Sequence, residues 1–251
     1  MAKAGKKKQT KAKANAKSKS KFALRPFLYK WLKRFVLLIL FLLIAPYILI
    51  FIYKIDAVKP VSTLMLSETF TGRSYERSWV DIEDVAPVVI QSVMMSEDGQ
   101  FCAHSGVDWD AINIVIEEAL EGEASRGAST IAMQTSKNLF LSQTRSVIRK
   151  ALEIPLALTS DYVWGKERMM ELYLNIAQWG HGVYGIEAAA QTYFGRSASK
   201  LTRKQAALLA VTLPNPILRN PAKPSNGLQR LANNVEKRAR QSGAYIKCIY
   251  P

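Results

Sequence analysis

The chain has 251 residues and a formal net charge of +15, and this charge is concentrated at one end. Residues 1–34 contain 13 of the 35 basic residues and no acidic residue, whereas the remainder carries 22 basic and 20 acidic residues. A nearly neutral body argues against nucleic-acid binding as the main function, because such surfaces need concentrated positive charge. The length allows one sizeable folded domain with appendages.

The first 34 residues form a basic segment that we predict to be cytoplasmic and largely disordered. Residues 1–21 are mainly Lys, Ala, Ser and Gln, which bury too little apolar surface to offset the entropy of ordering. Positive charge of this kind stays on the cytoplasmic side of a membrane and is attracted to anionic lipid headgroups.

The next stretch, FVLLILFLLIAPYILIFIY at residues 35–53, predicts a transmembrane helix. It has 19 residues without a charge, close to the ~20 needed to cross the hydrocarbon core. Tyr29, Trp31 and Tyr53 flank it as interfacial anchors do. The alternative is a cleaved signal peptide, but the apolar run is longer than that of a typical signal.

Beyond this segment, the pattern predicts a mainly α domain with many short helices. Residues 54–86 begin it, as an extended linker or a short strand region, and residues 87–251 form the domain itself. Apolar side chains recur there at helical spacing. Pro155 is expected to kink or end one helix, and Thr202 with Gln205 forms a capping-box pattern at the start of another.

The two cysteines, Cys102 and Cys248, match no metal-binding spacing. An oxidising compartment would allow them to pair. They are far apart in sequence, and we expect two separate thiols.

The stretch MSEDGQFCAHSGVDWDAI, residues 95–112, places Glu97 and Asp98 next to Phe101 and His104. Glu97 falls at the predicted C-terminal end of a helix, where the helix dipole and Asp98 would both raise its pKa. A raised pKa suits a general base that acts near neutral pH. The same letters also fit an ordinary polar helix stop, and His104 in such a loop is more often a structural hydrogen-bonding group than a base.

Other polar positions are ambiguous when each is considered separately. Arg149 and Glu153 are four residues apart, as in a surface ion pair. Together with Lys150, Arg149 would also suit a cationic wall that binds a phosphate or pyrophosphate. Three further polar residues are equally typical of a solvated helix face: Lys137, Asn138 and Glu171.

Six blocks of sequence remove much of this ambiguity, because they occur in a specific order over residues 92–221. They are EDGQFCAHSG, GASTIAMQTSKN, RKALE, KERMMELYLN, GVYGIEAAAQTYFG and LTRKQAALLAVTLPNP. The first four resemble E-D-x-x-F-x-x-H-x-G, G-x-S-T-I-x-x-Q-x-x-K-N, R-K-x-x-E and K-x-x-I-L-E-x-Y-L-N of the peptidoglycan glycosyltransferases (family 51). The last two resemble later helical segments of that family. The chain is most similar to its monofunctional biosynthetic members, the peptidoglycan transglycosylases.

The resemblance implies a lysozyme-like α fold with a small membrane-facing jaw. It makes two glutamates catalytic: Glu97 as the general base toward the 4-hydroxyl of an acceptor GlcNAc, and Glu171 as support for the donor side near the pyrophosphate. The residues that it assigns to substrate binding are Asp98, Phe101, His104, Ser129, Thr130, Gln134, Lys137, Asn138, Arg149, Lys150 and Glu153. The first three of these would shape the loop that holds Glu97, and the Arg149–Lys150 pair would neutralise the leaving pyrophosphate.

The implied reaction polymerises lipid II into β-1,4 glycan strands, with inversion at C1 of the donor MurNAc and release of undecaprenyl pyrophosphate. The sequence requires no cofactor, and Mg²⁺ or Mn²⁺ at the donor pyrophosphate stays open. The implied partners are lipid II, the growing glycan and membrane lipids, with cell-wall synthesis or division proteins as further candidates and no nucleic acid.

The implied location is the bacterial inner membrane, with a single span, a cytoplasmic N terminus and a periplasmic catalytic domain. No transpeptidase activity is expected, because the S-x-x-K at Ser197 is not followed by K-T-G.

Two other functions fit parts of the sequence. A lytic enzyme on the same general fold would cleave glycan with a carboxylic acid, but it would not need the Arg149–Lys150 pair or a lipid-anchored substrate. A membrane-anchored scaffold would use the basic segment alone, and it would leave the sequence after Lys54 unexplained. Digestion of purified sacculi separates the first alternative from a synthase, and deletion of residues 1–21 separates the second.

Overall fold

The computed structural model describes residues 4–121, 127–144 and 146–249, which divide into a unit up to Ile48 and a unit from Leu49 onward. Helix α1, Ala4–Tyr53, begins in the first unit and ends in the second. Its Tyr29–Tyr53 portion is long and apolar enough to span a membrane. Large apolar side chains there are exposed, such as Phe41 and Leu42, as expected for a lipid-facing helix.

The structure places residues 4–21, which were predicted to be disordered, in α1, and residues 1–3 lie outside the described residues. The physical reason is the composition of the segment, because Ala, Lys and Gln are among the strongest helix formers. Low apolar content excludes a packed core in this segment but does not exclude a helix.

The second unit is mainly α, which confirms the predicted fold class. Its helices pack around a core in which Phe101, Met169, Tyr173 and Trp179 are almost completely buried. The remaining α-helices in the described part are α2 Thr63–Phe70, α3 Pro87–Glu97, α4 Trp109–Leu120, α5 Ile131–Phe140, α6 Val147–Ile176, α7 Ile186–Phe194, α8 Arg203–Ala210 and α9 Asn226–Arg240. Helix α5 packs along α6, while α3, α8 and α9 pack against one another. The likeness to lysozyme and the jaw stay predictions.

A small three-stranded sheet accompanies the helices, with strand order β1-β3-β2. Strand β1, Glu76–Arg77, runs parallel to β3, Val183–Tyr184, and β2, Gln178–Gly180, runs antiparallel to β3 with an irregular register. The sheet joins the segment before α3 to the turn after α6.

The region between α1 and α3 contains a helix as well as the expected extended chain. Helix α2 forms because the Ser62 hydroxyl accepts a hydrogen bond from the Met65 amide at 3.2 Å, which caps the first turn. After α2 come β1 and a short 3-10 helix, Ile82–Asp84. The expectation of a linker or strand was therefore wrong for residues 63–70.

Helix α6 continues through Pro155 and is interrupted at Gly165, where φ is 71° and ψ is 178°. The alternative that Pro155 ends the helix was wrong, while a kink there stays a prediction. Pro155 and Ala151 both lie on the exposed face, where water can satisfy the freed Ala151 carbonyl. The left-handed φ at Gly165 suits a glycine, since other residues rarely adopt it.

Cys102 and Cys248 form a disulfide, with 5.5 Å between their Cα atoms, so the expectation of separate thiols was wrong. Sequence separation did not limit their approach, because α9 packs on α3 and carries the C-terminal segment back to the loop after Glu97. The Thr202–Gln205 capping box at the start of α8 is confirmed.

Candidate active site

Glu97 is the last residue of α3, as predicted, and other elements hold its carboxylate in place. The Ser96 hydroxyl donates to Glu97 Oε1 at 3.1 Å, and the Gln134 amide of α5 donates to Oε2 at 3.2 Å. The Tyr173 hydroxyl of α6 in turn donates to the Gln134 carbonyl oxygen at 3.2 Å. Three helices therefore fix the position and orientation of one carboxylate.

Burial raises the pKa of Glu97, because it desolvates the charged form. The hydrogen bonds from Gln134 and Ser96 and the charge of Arg219 oppose this shift, and the Asp98 charge adds a smaller contribution in the same direction as burial. The predicted direction of the shift is confirmed. Burial by neighbouring elements contributes more than Asp98, which the sequence interpretation had emphasised together with the helix dipole.

Asp98 and His104 tie together the loop that follows Glu97. His104 Nε2 lies 2.9 Å and 3.1 Å from the two Asp98 oxygens, and the Ile131 amide at the start of α5 donates to Asp98 Oδ2 at 2.9 Å. Phe101 is fully buried beneath the loop, and the Lys166 ammonium lies 4.7 Å above its ring. Phe101 and His104 therefore support the loop by packing and hydrogen bonding, as the sequence interpretation expected.

Thr130 connects the second motif to the first. Its hydroxyl caps α5 by accepting from the Met133 amide at 3.1 Å and donates to the Gly106 carbonyl at 2.6 Å. Gly106 has φ of +79°, and a Cβ at this position would lie 2.6 Å from the Ala157 carbonyl oxygen of α6. The glycine that ends the first motif thus allows its loop to lie directly against α6.

A cluster of cations lies next to Ser129, at the border of the same site. Lys150 donates to the Ser129 hydroxyl at 2.6 Å and pairs with Glu153 at 3.1 Å, and Arg149 also contacts Glu153. Glu153 is buried, so this is not the exposed i,i+4 pair that the spacing also allowed.

The cations of this cluster repel one another. Burial and the charges of Arg149 and Lys137 lower the pKa of Lys150 to about 8. Burial and Arg149 likewise lower the pKa of Lys137, while the Glu97 charge opposes that shift. Crowded, partly desolvated cations favour an anionic ligand, because its charge would relieve their repulsion.

Asn138 lies away from this cluster, since its carbonyl accepts from Thr63 at 3.2 Å and its side chain from Gln143 at 3.4 Å. It joins α5 to α2. Nothing in its described contacts reaches Glu97 or the cations, so its predicted place in substrate binding stays a prediction.

Glu171 lies in a separate group of contacts on α6. Its Oε1 pairs with Arg168, and its Oε2 accepts from the Ile82 amide at 3.3 Å. Arg168 also donates to the carbonyls of Ile55 at 3.1 Å and Val58 at 2.8 Å. The pair therefore fastens the chain that follows α1 to the catalytic domain.

These contacts bear on whether Glu171 holds Mg²⁺ or Mn²⁺, which the sequence leaves open. Within the described residues there is no group of three or more His, Cys, Asp and Glu side chains able to hold a metal ion. Both Glu171 oxygens already accept from Arg168 and Ile82. The donors present do not fit a cation held by the protein at Glu171, so no step proposed below passes through a metal.

A cavity of about 440 Å³ opens beside Glu97. Asp98, Ser129 and Thr130 line it, as the motifs predicted, and so do residues of α9 and the turn after it, including Arg238 and Tyr245. The sequence interpretation missed these last two, together with Tyr173 and Arg219. Tyr173 follows the motif Glu171 by two positions, but the other three lie outside the matched motif letters, and no local pattern signals them.

Comparison with known proteins identifies the family. A family model described as Transglycosylase matches residues 64–240. This chain belongs to the transglycosylase family. A biosynthetic peptidoglycan transglycosylase of Rhizobium meliloti (strain 1021) is 59% identical over 218 residues, which covers 87% of this chain and 92% of that protein. One of the same name from Brucella suis biovar 1 (strain 1330) is 58% identical over 208 residues, covering 83% and 93%.

These findings confirm the family predicted from the motifs. The transglycosylase domain covers both glutamates, the cationic cluster and Arg238 of the cavity, because the match extends from α2 to the end of α9. The enzyme class, a glycosyltransferase of peptidoglycan synthesis, is confirmed with it.

Proposed function

We propose that this transglycosylase polymerises lipid II into β-1,4 glycan strands, with inversion at C1 of the donor MurNAc and release of undecaprenyl pyrophosphate. One observation carries the proposal: Ser129, which lines the cavity beside the buried base Glu97, accepts a hydrogen bond from Lys150 of the Lys137–Arg149–Lys150 cations, and the charge of Glu97 acts on Lys137. A base at one side and positive charge at the other are what this displacement requires.

Glu97 acts as the general base toward the acceptor. It accepts the proton of the GlcNAc 4-hydroxyl, and that oxygen attacks C1 of the donor MurNAc while the bond from C1 to the pyrophosphate oxygen breaks. One displacement at the opposite face converts the α-linked donor into a β-linked product. The raised pKa strengthens Glu97 as a base. It also raises the pH below which activity is lost, because the carboxylate must be unprotonated to act.

The cationic cluster stabilises the leaving group. Pyrophosphate leaves as an anion, so it needs positive charge more than it needs a general acid. Arg149 offers a planar fork of donors for phosphate oxygens, and Lys150 offers a point charge next to Ser129. Glu153, buried between the two, holds both cations in place.

Glu171 supports the donor side as a positioning residue. Its oxygens are engaged by Arg168 and the Ile82 amide, so it acts through Arg168 and the segment that Arg168 binds. Arg168 contacts residues directly after the membrane-spanning portion of α1. This contact holds the catalytic domain to the chain that leaves the lipid, where a lipid-linked donor also arrives.

The enzyme is anchored in the inner membrane, with the basic N terminus in the cytoplasm and the catalytic domain in the periplasm. The Cys102–Cys248 disulfide supports this orientation, because disulfides persist in the periplasm and are rare in the reducing cytoplasm. The Lys-rich start of α1 supports it by the positive-inside rule.

Crosslinking of the glycan is not part of the proposed activity. In the S-x-x-K that begins at Ser197, the serine hydroxyl donates to Glu187 at 3.3 Å and caps a short 3-10 helix, Ala198–Lys200. No K-T-G follows this S-x-x-K in the printed sequence, so the proposal gives Ser197 a structural role only.

The proposal is tested with purified full-length protein in detergent and radiolabelled lipid II. We expect a glycan ladder, one undecaprenyl pyrophosphate released for each bond formed, and complete digestion of the product by a β-1,4-specific muramidase. Digestion of purified sacculi by the same preparation, without any polymer from lipid II, would contradict the proposal and favour the lytic alternative.

A further inference from the structure

The far wall of the Glu97 cavity comes from the C-terminal end of the domain. Arg238 near the end of α9 and Gln241, Ser242 and Tyr245 in the following turn line the cavity opposite the motif residues. The proposed reaction assigns them no role.

This wall is fixed to the catalytic loop at two places. The disulfide joins Cys248, three residues beyond Tyr245, to Cys102 in the loop after Glu97. The Arg238 guanidinium lies over the backbone of Gly99, since a Cβ on that glycine would be 3.3 Å from Arg238 Nη2. The wall is thus held next to the base, at the distance of direct packing.

The turn that carries the wall is also ordered by its own hydrogen bonds. The Tyr245 amide donates to the Ser242 carbonyl at 2.7 Å, and the Ser242 hydroxyl donates to the Ala239 carbonyl at 2.8 Å. Tyr245 itself remains half exposed, at 51%. The backbone of an aromatic residue at the border of the cavity is therefore fixed, while its side chain is not used for the core.

The chemistry of these side chains suits a sugar ring. A guanidinium and an amide donate to hydroxyl and acetamido oxygens, and the Tyr245 ring offers an apolar surface to the C–H face of a pyranose. The cavity volume of about 440 Å³ is within the range of ~300–1,000 Å³ that is typical of small-molecule sites.

The charge of the cavity favours a neutral ligand. Glu97, Asp98 and Asp108 line it together with Arg238, whereas Lys137, Arg149 and Lys150 are not among the lining residues. Three carboxylates around one guanidinium would repel a second anion, such as a phosphate or a peptide carboxylate. A neutral N-acetylated sugar meets no such repulsion and uses carboxylates as hydrogen-bond acceptors.

We propose that Arg238, Gln241 and Tyr245 bind an N-acetylhexosamine ring of the glycan adjacent to the bond being formed. This inference rests on the proposed function. The ring belongs either to the incoming acceptor disaccharide or to the growing strand, and both present the same hydroxyl and acetamido groups to the wall.

The first test compares Arg238→Ala and Tyr245→Ala with two matched controls in full-length protein. Lys237→Ala removes a neighbouring exposed cation of α9, and Tyr162→Ala removes an exposed tyrosine of α6. We expect kcat/KM for lipid II to fall about tenfold or more in the first two variants and to stay unchanged in the controls. Polymerisation within twofold of the controls would overturn the proposal.

Two arms of the assay identify the strand. If the ring is the acceptor's, joining of two lipid II molecules and extension of a preformed tetrasaccharide primer fall alike, and glycan length is unchanged. If it belongs to the growing strand, the first joining step is retained, while extension and glycan length fall. If circular dichroism shows that an alanine variant does not fold, Tyr245→Phe and Arg238→Lys are used in its place. The proposal predicts that Tyr245→Phe retains activity and that Arg238→Lys loses it. Equal activity of these two variants would overturn it.

A binding measurement separates this inference from the proposed function. N,N′-diacetylchitobiose is added to Glu97→Gln protein, and contact is detected by saturation-transfer NMR. We expect a signal that is lost when Arg238→Ala and Tyr245→Ala are added to that background. A signal that survives both changes would overturn the subsite, and a wild type that polymerises no lipid II would overturn the proposed function independently of this result.

Discussion

Reduction of the Cys102–Cys248 disulfide should destabilise the domain strongly. The bond closes a loop with a sequence separation of 146 residues. The chain-entropy relation gives about 5 kcal/mol for such a loop at 25 °C, and native disulfides in small domains contribute about 2–5 kcal/mol. This is a large part of the free energy of unfolding of a native domain, which is ~5–15 kcal/mol. At ~2–4 °C per kcal/mol for a unit of this size, a loss of about 2–5 kcal/mol lowers the unfolding midpoint by roughly 4–20 °C.

The assay is thermal unfolding of the detergent-solubilised chain by circular dichroism, with and without reductant. A Cys102→Ser, Cys248→Ser double variant should match the reduced wild type and should no longer respond to reductant. Polymerisation should fall together with stability, because the disulfide holds the α9 wall against the loop after Glu97. Equal midpoints for oxidised and reduced wild type, with both thiols shown to be free by labelling, would refute the reasoning.

Three further changes test the site. Gly106→Ala forces a Cβ to 2.6 Å from the Ala157 carbonyl at a φ of +79°, so it should cost at least about 2 kcal/mol in urea unfolding. The wild-type kcat/KM should fall above pH 8, because Lys150 loses its charge as pH rises through its lowered pKa of about 8. Lys150→Arg should remove this fall, since arginine stays charged. Glu171→Ala leaves Arg168 without its buried partner and should destabilise by about 3 kcal/mol. Unchanged unfolding free energies, or a basic limb that persists in the arginine variant, would contradict these expectations.

Much of the site was predictable because its motifs are local. Glu97 at the end of α3 and the Thr130 cap of α5 depend on neighbouring residues, and the contacts of Arg149 and Lys150 with Glu153 depend on one turn of α6. Such features follow from short-range spacing, which a single sequence records directly.

The remaining features depend on which elements meet. Burial raises the pKa of Glu97, and the hydrogen bond to its Oε2 comes from Gln134 of α5 rather than from its own helix. The disulfide exists because α9 packs on α3, and no spacing between Cys102 and Cys248 indicates it. Arg238 and Tyr245 reach the cavity by the same packing.

Backbone effects explain the other differences. Pro155 is tolerated because its helix face is exposed, so the interruption of α6 falls at Gly165, which alone adopts the left-handed φ within that helix. Helix α2 follows from a capping serine at Ser62, whose effect outweighs the strand-leaning residues around it. In each case one local interaction reverses a compositional preference.

The central claim, that Glu97 is the base of a lipid II polymerase, is tested most directly by comparing Glu97→Gln with Glu167→Gln. The control removes an exposed carboxylate of α6 and leaves the cavity intact. We predict that Glu97→Gln makes no glycan from labelled lipid II, although its thermal midpoint equals or exceeds that of the wild type because a desolvated charge has been removed. Glu167→Gln should polymerise like the wild type. Glycan formation by Glu97→Gln at the wild-type rate would contradict the account.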